Sequence, residues 1–110
     1  MVSEALESSA HVSWTGEIDI ATVDSFSETL EKAAADGRDL CIDLRDTTFI
    51  DSTGIAELLR AANAASEHGA TVRVLADQPM MRRAFALMNL DAVLVVEPPL
   101  QPRGRPQTFS

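Results

Sequence analysis

The sequence has few of the residues from which small catalytic and metal sites are built. Its 110 residues include one cysteine, two histidines, no tyrosine and a single lysine, Lys32. One cysteine excludes an internal disulfide, and two isolated histidines with one cysteine do not match a zinc-ligand pattern. The chain also has no Gly-rich phosphate loop ending in Lys-Ser or Lys-Thr. The sequence therefore predicts neither a metal nor a cofactor.

The chain also lacks excess positive charge and any long hydrophobic run. It has 17 acidic residues against 9 basic ones, a formal net charge of −8. An acidic surface repels duplex nucleic acid and anionic membranes, and it favours partners with a basic patch. No apolar run is near the roughly 20 residues that a transmembrane helix needs. We therefore expect no direct nucleic-acid binding, no membrane insertion and a cytoplasmic location.

Strand and helix patterns alternate along the chain. Residues 40–44 have apolar side chains at alternate positions, which predicts a strand with one buried face, while residues 55–68 have an apolar stripe at helical spacing. The alternation predicts a single α/β domain whose helices pack mainly on one face of the sheet. We expect a flexible N-terminus over 1–9, the domain over 10–97 and a disordered, proline-rich tail over 98–110.

The stretch Phe49-Ile50-Asp51-Ser52-Thr53-Gly54 combines a hydroxyl, a carboxylate and a glycine between the predicted strand over 40–44 and the predicted helix that follows. The first amides of a helix lack intrahelical partners, and the helix dipole adds partial positive charge at that end. A serine at this place can cap the helix, bind an anion or carry a phosphate. The local chemistry leaves all three roles open.

Several segments in register resemble one known family. Thr15-Gly16-Glu17-Ile18-Asp19, Ile42-Asp43-Leu44 and the Asp51-Ser52-Thr53-Gly54 turn are similar to the STAS domain of bacterial anti-sigma factor antagonists. The likeness covers roughly residues 12–97. It implies a mixed β-sheet of four to five strands, with helices mainly on one face.

The resemblance also implies a partner-switching mechanism. In that family the unphosphorylated antagonist binds an anti-sigma factor that is also a serine kinase, and so frees a sigma factor. The kinase then phosphorylates the serine after the motif aspartate, here Ser52, and a serine phosphatase reverses the step. Thr53 stands where many relatives have a second serine and is a minor candidate acceptor. The switch loop and partner surface implied for this chain comprise Asp19, Asp51, Thr53, Gly54, Glu57 and Arg60.

Three other classes of function compete with this interpretation. A serine hydrolase would need a nearby base, but the chain has no G-x-S-x-G elbow, and His68 lies about four turns along the same helix. A nucleotide-binding protein would need a Gly-rich phosphate loop, and this sequence has none. The nearest rival is a STAS module that acts as a structural or regulatory subunit of a transporter or signalling scaffold without being phosphorylated. We expect a non-enzymatic protein.

Overall fold

The computed structural model describes residues 9–100. Four short strands form one sheet, in the spatial order β1-β3-β5-β6, and every pairing between them is parallel. Val12, Ile42, Val74 and Val96 face one another across this sheet and are all buried. These strands are β1 (Ala10–Ser13), β3 (Leu40–Asp43), β5 (Val72–Leu75) and β6 (Val95–Glu97).

Two further strands pair with each other, in parallel, outside the main sheet. They are β2 (Gly16–Ile18) and β4 (Thr47–Ile50). The expected α/β class is confirmed, with one four-stranded sheet and one two-stranded pair, and all pairings in the described residues are parallel. Strand β4 was not predicted. Only its end residues, Thr47 and Ile50, are buried, so its sequence shows no alternation of apolar and polar side chains.

The helices cover one face of the main sheet, as predicted. The side chains of β1 alternate between buried and exposed, and those of β3 alternate between buried and half-buried. Right-handed connections between successive parallel strands place their helices on the same side of a sheet. No helix among residues 9–100 is long and apolar enough to cross a membrane. The helices are α1 (Val23–Ala33), α2 (Ser52–Glu67), α3 (Pro79–Leu87) and a 3-10 turn (Leu90–Ala92).

One side chain fixes the start of β4 against the main sheet. The Gln78 amide nitrogen, just before α3, donates to the carbonyl oxygen of Leu44 at 2.7 Å and to that of Thr47. The Thr47 hydroxyl donates in turn to the carbonyl oxygen of Trp14 at 2.8 Å. The first residue of β4 is therefore held against the main sheet, and the strand continues from there toward α2.

The predicted ends of the chain lie mostly outside the described residues. The expected flexible segment 1–9 is described only at Ser9, and residues 101–110 of the expected tail are not described. Leu100 packs against the core, and Arg82 Nη2 donates to the carbonyl oxygen of Pro99 at 2.8 Å. The packed part of the chain therefore continues three residues past the predicted boundary at 97.

Leu58 tests the packing of α2 against the rest of the core. Its side chain is fully buried, whereas the neighbouring Leu59 is only half-buried. Leu58→Ala should lower the free energy of unfolding by about 2–5 kcal/mol, since it leaves a cavity that the sheet cannot close. Leu59→Ala, which removes the same atoms, should cost less. Urea unfolding with an unchanged m-value measures both, and equal losses would contradict this packing.

Candidate functional site

Ser52 is the first residue of α2 and is exposed to solvent. The chain reaches it from β4 through Asp51, whose N–H donates to the carbonyl oxygen of Ile18 at 3.0 Å. The end of β2 therefore lies directly beside the corner where β4 turns into α2, formed by residues 50–54. Within the part of the chain that the structure describes, no hydrogen bond engages the Ser52 hydroxyl. The hydroxyl is free to react.

Asp51, not Ser52, caps helix α2. Its Oδ1 accepts the N–H of Thr53 at 2.9 Å, the N–H of Gly54 at 3.2 Å and the Thr53 hydroxyl at 2.5 Å. The sequence left capping, anion binding and phosphorylation open for Ser52, and the structure gives the capping role to Asp51 instead. The Thr53 hydroxyl bond, above all, lowers the pKa of Asp51, and the N–H groups of Gly54, Thr53 and Ile20 add to that effect.

The two hydroxyls of the motif stand in different environments. The Thr53 hydroxyl is held by the Asp51 carboxylate, while that of Ser52 is unengaged and exposed. A kinase needs an accessible hydroxyl that can approach the γ-phosphate. This difference favours Ser52 as the acceptor over Thr53.

Asp19 lies in the turn after β2, next to the corner that Asp51 holds. Its carboxylate Oδ1 accepts the N–H of Ala21 at 3.0 Å and that of Thr22 at 3.2 Å. The N–H of Ile20 lies close enough to the Asp51 carboxylate to help lower the pKa of that group. The structure therefore brings Asp19, Asp51 and Ser52 together at one end of the molecule. Ile20 joins them there, and nothing in the sequence motif singled it out.

Gly54 allows α2 to approach the small sheet closely. A methyl group at this position would lie 2.6 Å from Cγ2 of Ile18 and 2.6 Å from Cγ1 of Ile50. Contacts this short force the neighbouring side chains to move. Gly54 is buried and therefore shapes the corner rather than offering a surface to a partner.

Glu57 and Arg60 form a paired unit on α2. The sequence analysis put both on the partner-facing side, but Glu57 is buried, with 8% of its surface exposed. Arg60 Nε donates to Glu57 Oε1 at 3.0 Å, and its Nη2 lies 3.4 Å from Glu31 Oε2 on α1. Burial of Glu57 is tolerated because the guanidinium neutralises it. Expecting an accessible Glu57 was wrong, and of the pair Arg60 presents the exposed surface.

The open face of the main sheet carries a separate concavity of about 640 Å³. Its lining includes His11, Cys41, Arg73 and Glu97, and does not include Ser52. Burial, above all, raises the pKa of the Cys41 thiol, which makes it a poor nucleophile at neutral pH. The residues that the structure describes contain no cluster of three potential metal ligands. This concavity is therefore separate from the exposed Ser52.

A family model described as "Mlab, STAS domain" matches residues 2–97. Comparison with curated protein sequences gives no significant match.

Solved structures share the fold. The structure of an anti-sigma factor antagonist from Mycobacterium paratuberculosis is 28% identical, with a TM-score of 0.75 over 86% of this chain and 80% of that one. The anti-sigma factor antagonist SpoIIAA in its unphosphorylated form is 18% identical, with a TM-score of 0.63 over 87% of this chain and 82% of that one. At that lower identity the likeness shows the fold alone.

Replacement of Gly54 tests the close approach at the corner. Alanine favours a helix by up to about 1 kcal/mol over glycine, but overpacking costs about 1–3 kcal/mol. Because the methyl group would meet two side chains at 2.6 Å, we expect Gly54→Ala to destabilise the fold by about 1–2 kcal/mol in net terms. Ala56→Ser, on the exposed side of the same turn, should change it by less than about 0.5 kcal/mol. A stabilised Gly54→Ala variant in denaturant titrations would exclude this packing.

The cap formed by Asp51 predicts a pH dependence of stability. The folded-state pKa of Asp51 lies below its ordinary value of 3.8. Its contribution is therefore complete above pH 3.8 and disappears as pH falls through the lower, folded-state value. At pH 7 we expect Asp51→Asn, which keeps a capping oxygen but removes the negative charge at the helix N-terminus, to lower Tm by about 2–4 °C. Calorimetry should show this difference shrinking below pH 3.8. With the exposed control Asp46→Asn, Tm should stay near wild type throughout, and an Asp51→Asn difference independent of pH would contradict the cap.

Proposed function

The chain belongs to the STAS domain family, and on that premise we propose that it is an anti-sigma factor antagonist controlled by phosphorylation of Ser52. In its unphosphorylated form it binds an anti-sigma factor that is also a serine kinase, and a sigma factor is released. The kinase transfers phosphate to Ser52, the complex dissociates, and a serine phosphatase resets the switch. The observation that carries the proposal is the exposed, unengaged hydroxyl of Ser52 at a corner that its neighbours hold fixed.

Two comparisons support the general role. The Mycobacterium paratuberculosis protein, at 28% identity, is described as an anti-sigma factor antagonist and aligns with most of this chain. The SpoIIAA structure is described as that of an anti-sigma factor antagonist in its unphosphorylated form. The position of Ser52 within the same fold supports the proposal that this chain is phosphorylated there and has kinase and phosphatase partners.

Charge at the interface accounts for the release. A phosphoserine adds about −1.5 to −2 charges and three strong acceptor oxygens. Facing a partner's acidic group about 5 Å away, one added charge costs roughly 3 kcal/mol at an effective dielectric constant of about 20. That energy corresponds to a loss of affinity on the order of a hundredfold. Phosphorylation therefore releases the partner without any need to unfold the domain.

The capping arrangement supports a switch that keeps its fold. The amides of Thr53 and Gly54 are already bonded to Asp51, so the helix start does not depend on the Ser52 side chain. A phosphate on Ser52 points into solvent or toward the docked partner. We place the function in a cytoplasmic, non-enzymatic protein without direct nucleic-acid contact, because its net charge of −8 opposes binding to DNA.

Two substitutions at Ser52 test the switch. Ser52→Ala should bind the cognate anti-sigma factor kinase with near wild-type affinity and stay bound in the presence of ATP. Ser52→Glu should bind at least about tenfold more weakly, since glutamate supplies part of the phosphate charge. Calorimetric titration of each purified anti-sigma factor kinase of the host measures the affinities, and intact-mass measurement after incubation with ATP counts the phosphates.

Thr53→Ala is the matched control, because it removes the other hydroxyl of the motif and should leave phosphate incorporation intact. Equal affinities of Ser52→Ala and Ser52→Glu would contradict the switch. A stable complex that gains no phosphate from ATP would instead indicate the alternative function, a STAS subunit of a transporter or signalling scaffold that binds without being phosphorylated.

A further inference from the structure

Ile20 is the most exposed large hydrophobic residue near Ser52. Its side chain is 77% exposed, in the turn between β2 and α1. It follows Ile18 by two residues, and the carbonyl oxygen of Ile18 accepts the N–H of Asp51, the residue directly before Ser52, at 3.0 Å. This bond places the turn that carries Ile20 beside the start of the helix that carries Ser52. The two side chains belong to one surface.

The turn that holds Ile20 is tightly bonded. Its first residue, Asp19, accepts the N–H groups of Ala21 and Thr22 through its side chain, and that of Val23 through its carbonyl at 2.7 Å. The Thr22 hydroxyl accepts the N–H of Asp19 and donates to the carbonyl of Glu17, both at 2.9 Å. The isoleucine is thus presented from a preorganised support, which reduces the entropy lost when a partner buries it.

Exposure alone does not identify a binding residue, since single exposed apolar side chains are common. Met80 and Leu87, on α3, are as exposed as Ile20, at 80% and 76%. Ile20 differs from them in two respects. It comes two residues after Ile18, whose carbonyl oxygen accepts the Asp51 N–H, and it directly follows Asp19, so that it lies near the carboxylates of both acids.

We infer that Ile20 is the apolar anchor of the interface that phosphorylation of Ser52 controls. The partner surface that fits is an apolar socket that buries Ile20, with basic groups facing Asp19 and Asp51 and, opposite the Ser52 hydroxyl, the acidic group that a phosphate would repel. Buried apolar anchors surrounded by polar contacts are where interface energy concentrates. This inference rests on the proposed function and adds to it the chemistry of the kinase surface that binds this chain.

The test compares Ile20→Ala with Leu87→Ala, because each removes three carbon atoms from a side chain that is exposed to the same degree. Ile20→Ala should weaken binding to the cognate anti-sigma factor kinase by about 10- to 50-fold, and Ile20→Val by about fourfold or less. Leu87→Ala, on α3, should change the affinity by less than about twofold. Titration calorimetry with each purified anti-sigma factor kinase of the host gives the affinities.

Phosphorylation kinetics supply a second readout. Ile20→Ala should raise the KM of the kinase for this chain while kcat stays near wild type, because the acceptor hydroxyl itself is unchanged. Thermal unfolding should give the same Tm for Ile20→Ala as for wild type, since the side chain makes no buried contact in the free protein.

The outcomes separate this inference from the proposal on which it rests. If Ser52→Glu loses binding while Ile20→Ala binds as tightly as Leu87→Ala, Ile20 is not the anchor and the switch stands. If Ile20→Ala weakens binding but Ser52→Glu does not, the anchor is supported and the phosphorylation switch is overturned. If no host kinase binds the wild-type chain, both are overturned.

Discussion

The Asp51 carboxylate is the constraint on which the arrangement of the site depends. It bonds the first amides of α2 and the Thr53 hydroxyl, while the N–H of the same residue donates to the carbonyl oxygen of Ile18 at 3.0 Å. These bonds join two segments that are distant in sequence and fix their relative position before any partner arrives. The Asp51 carboxylate both caps α2 and accepts the Thr53 hydroxyl, so the Ser52 hydroxyl is the group of the motif that these bonds leave unengaged.

The fixed corner determines how a phosphate can act. A switch can work by rearranging a protein or by changing the charge on a surface that stays in place. Here the helix start is capped without Ser52, and Gly54 packs too closely against Ile18 and Ile50 for the helix end to shift inward. For the proposed switch, the geometry therefore favours a change of charge at a stationary interface, where one phosphate facing an acidic group would supply roughly 3 kcal/mol of repulsion.

Much of the fold follows from local sequence patterns, and the exceptions have physical causes. The alternation in Leu40–Leu44 and the stripe that includes Leu58 predicted their strand and helix, because both segments bury one face. Strand β4 escaped prediction because only its two end residues are buried, so its sequence shows no alternation of apolar and polar side chains. At the site, the motif located Ser52 and Asp51, but burial of Glu57 depends on its pairing with Arg60 and on the nearby α1. The position of Ile20 beside the site depends on the long-range bond between the Asp51 N–H and the carbonyl oxygen of Ile18. Neither is visible in local periodicity.

The most direct test of a charge switch on a fixed surface is hydrogen exchange in the chain with phosphoserine incorporated at position 52, compared with the unmodified chain. The account predicts that β4 and the body of α2 keep their protection, with differences confined to residues near 19–22 and 51–55. Loss of protection along α2 on phosphorylation would show that the phosphate acts by unfolding the helix, and it would contradict the account.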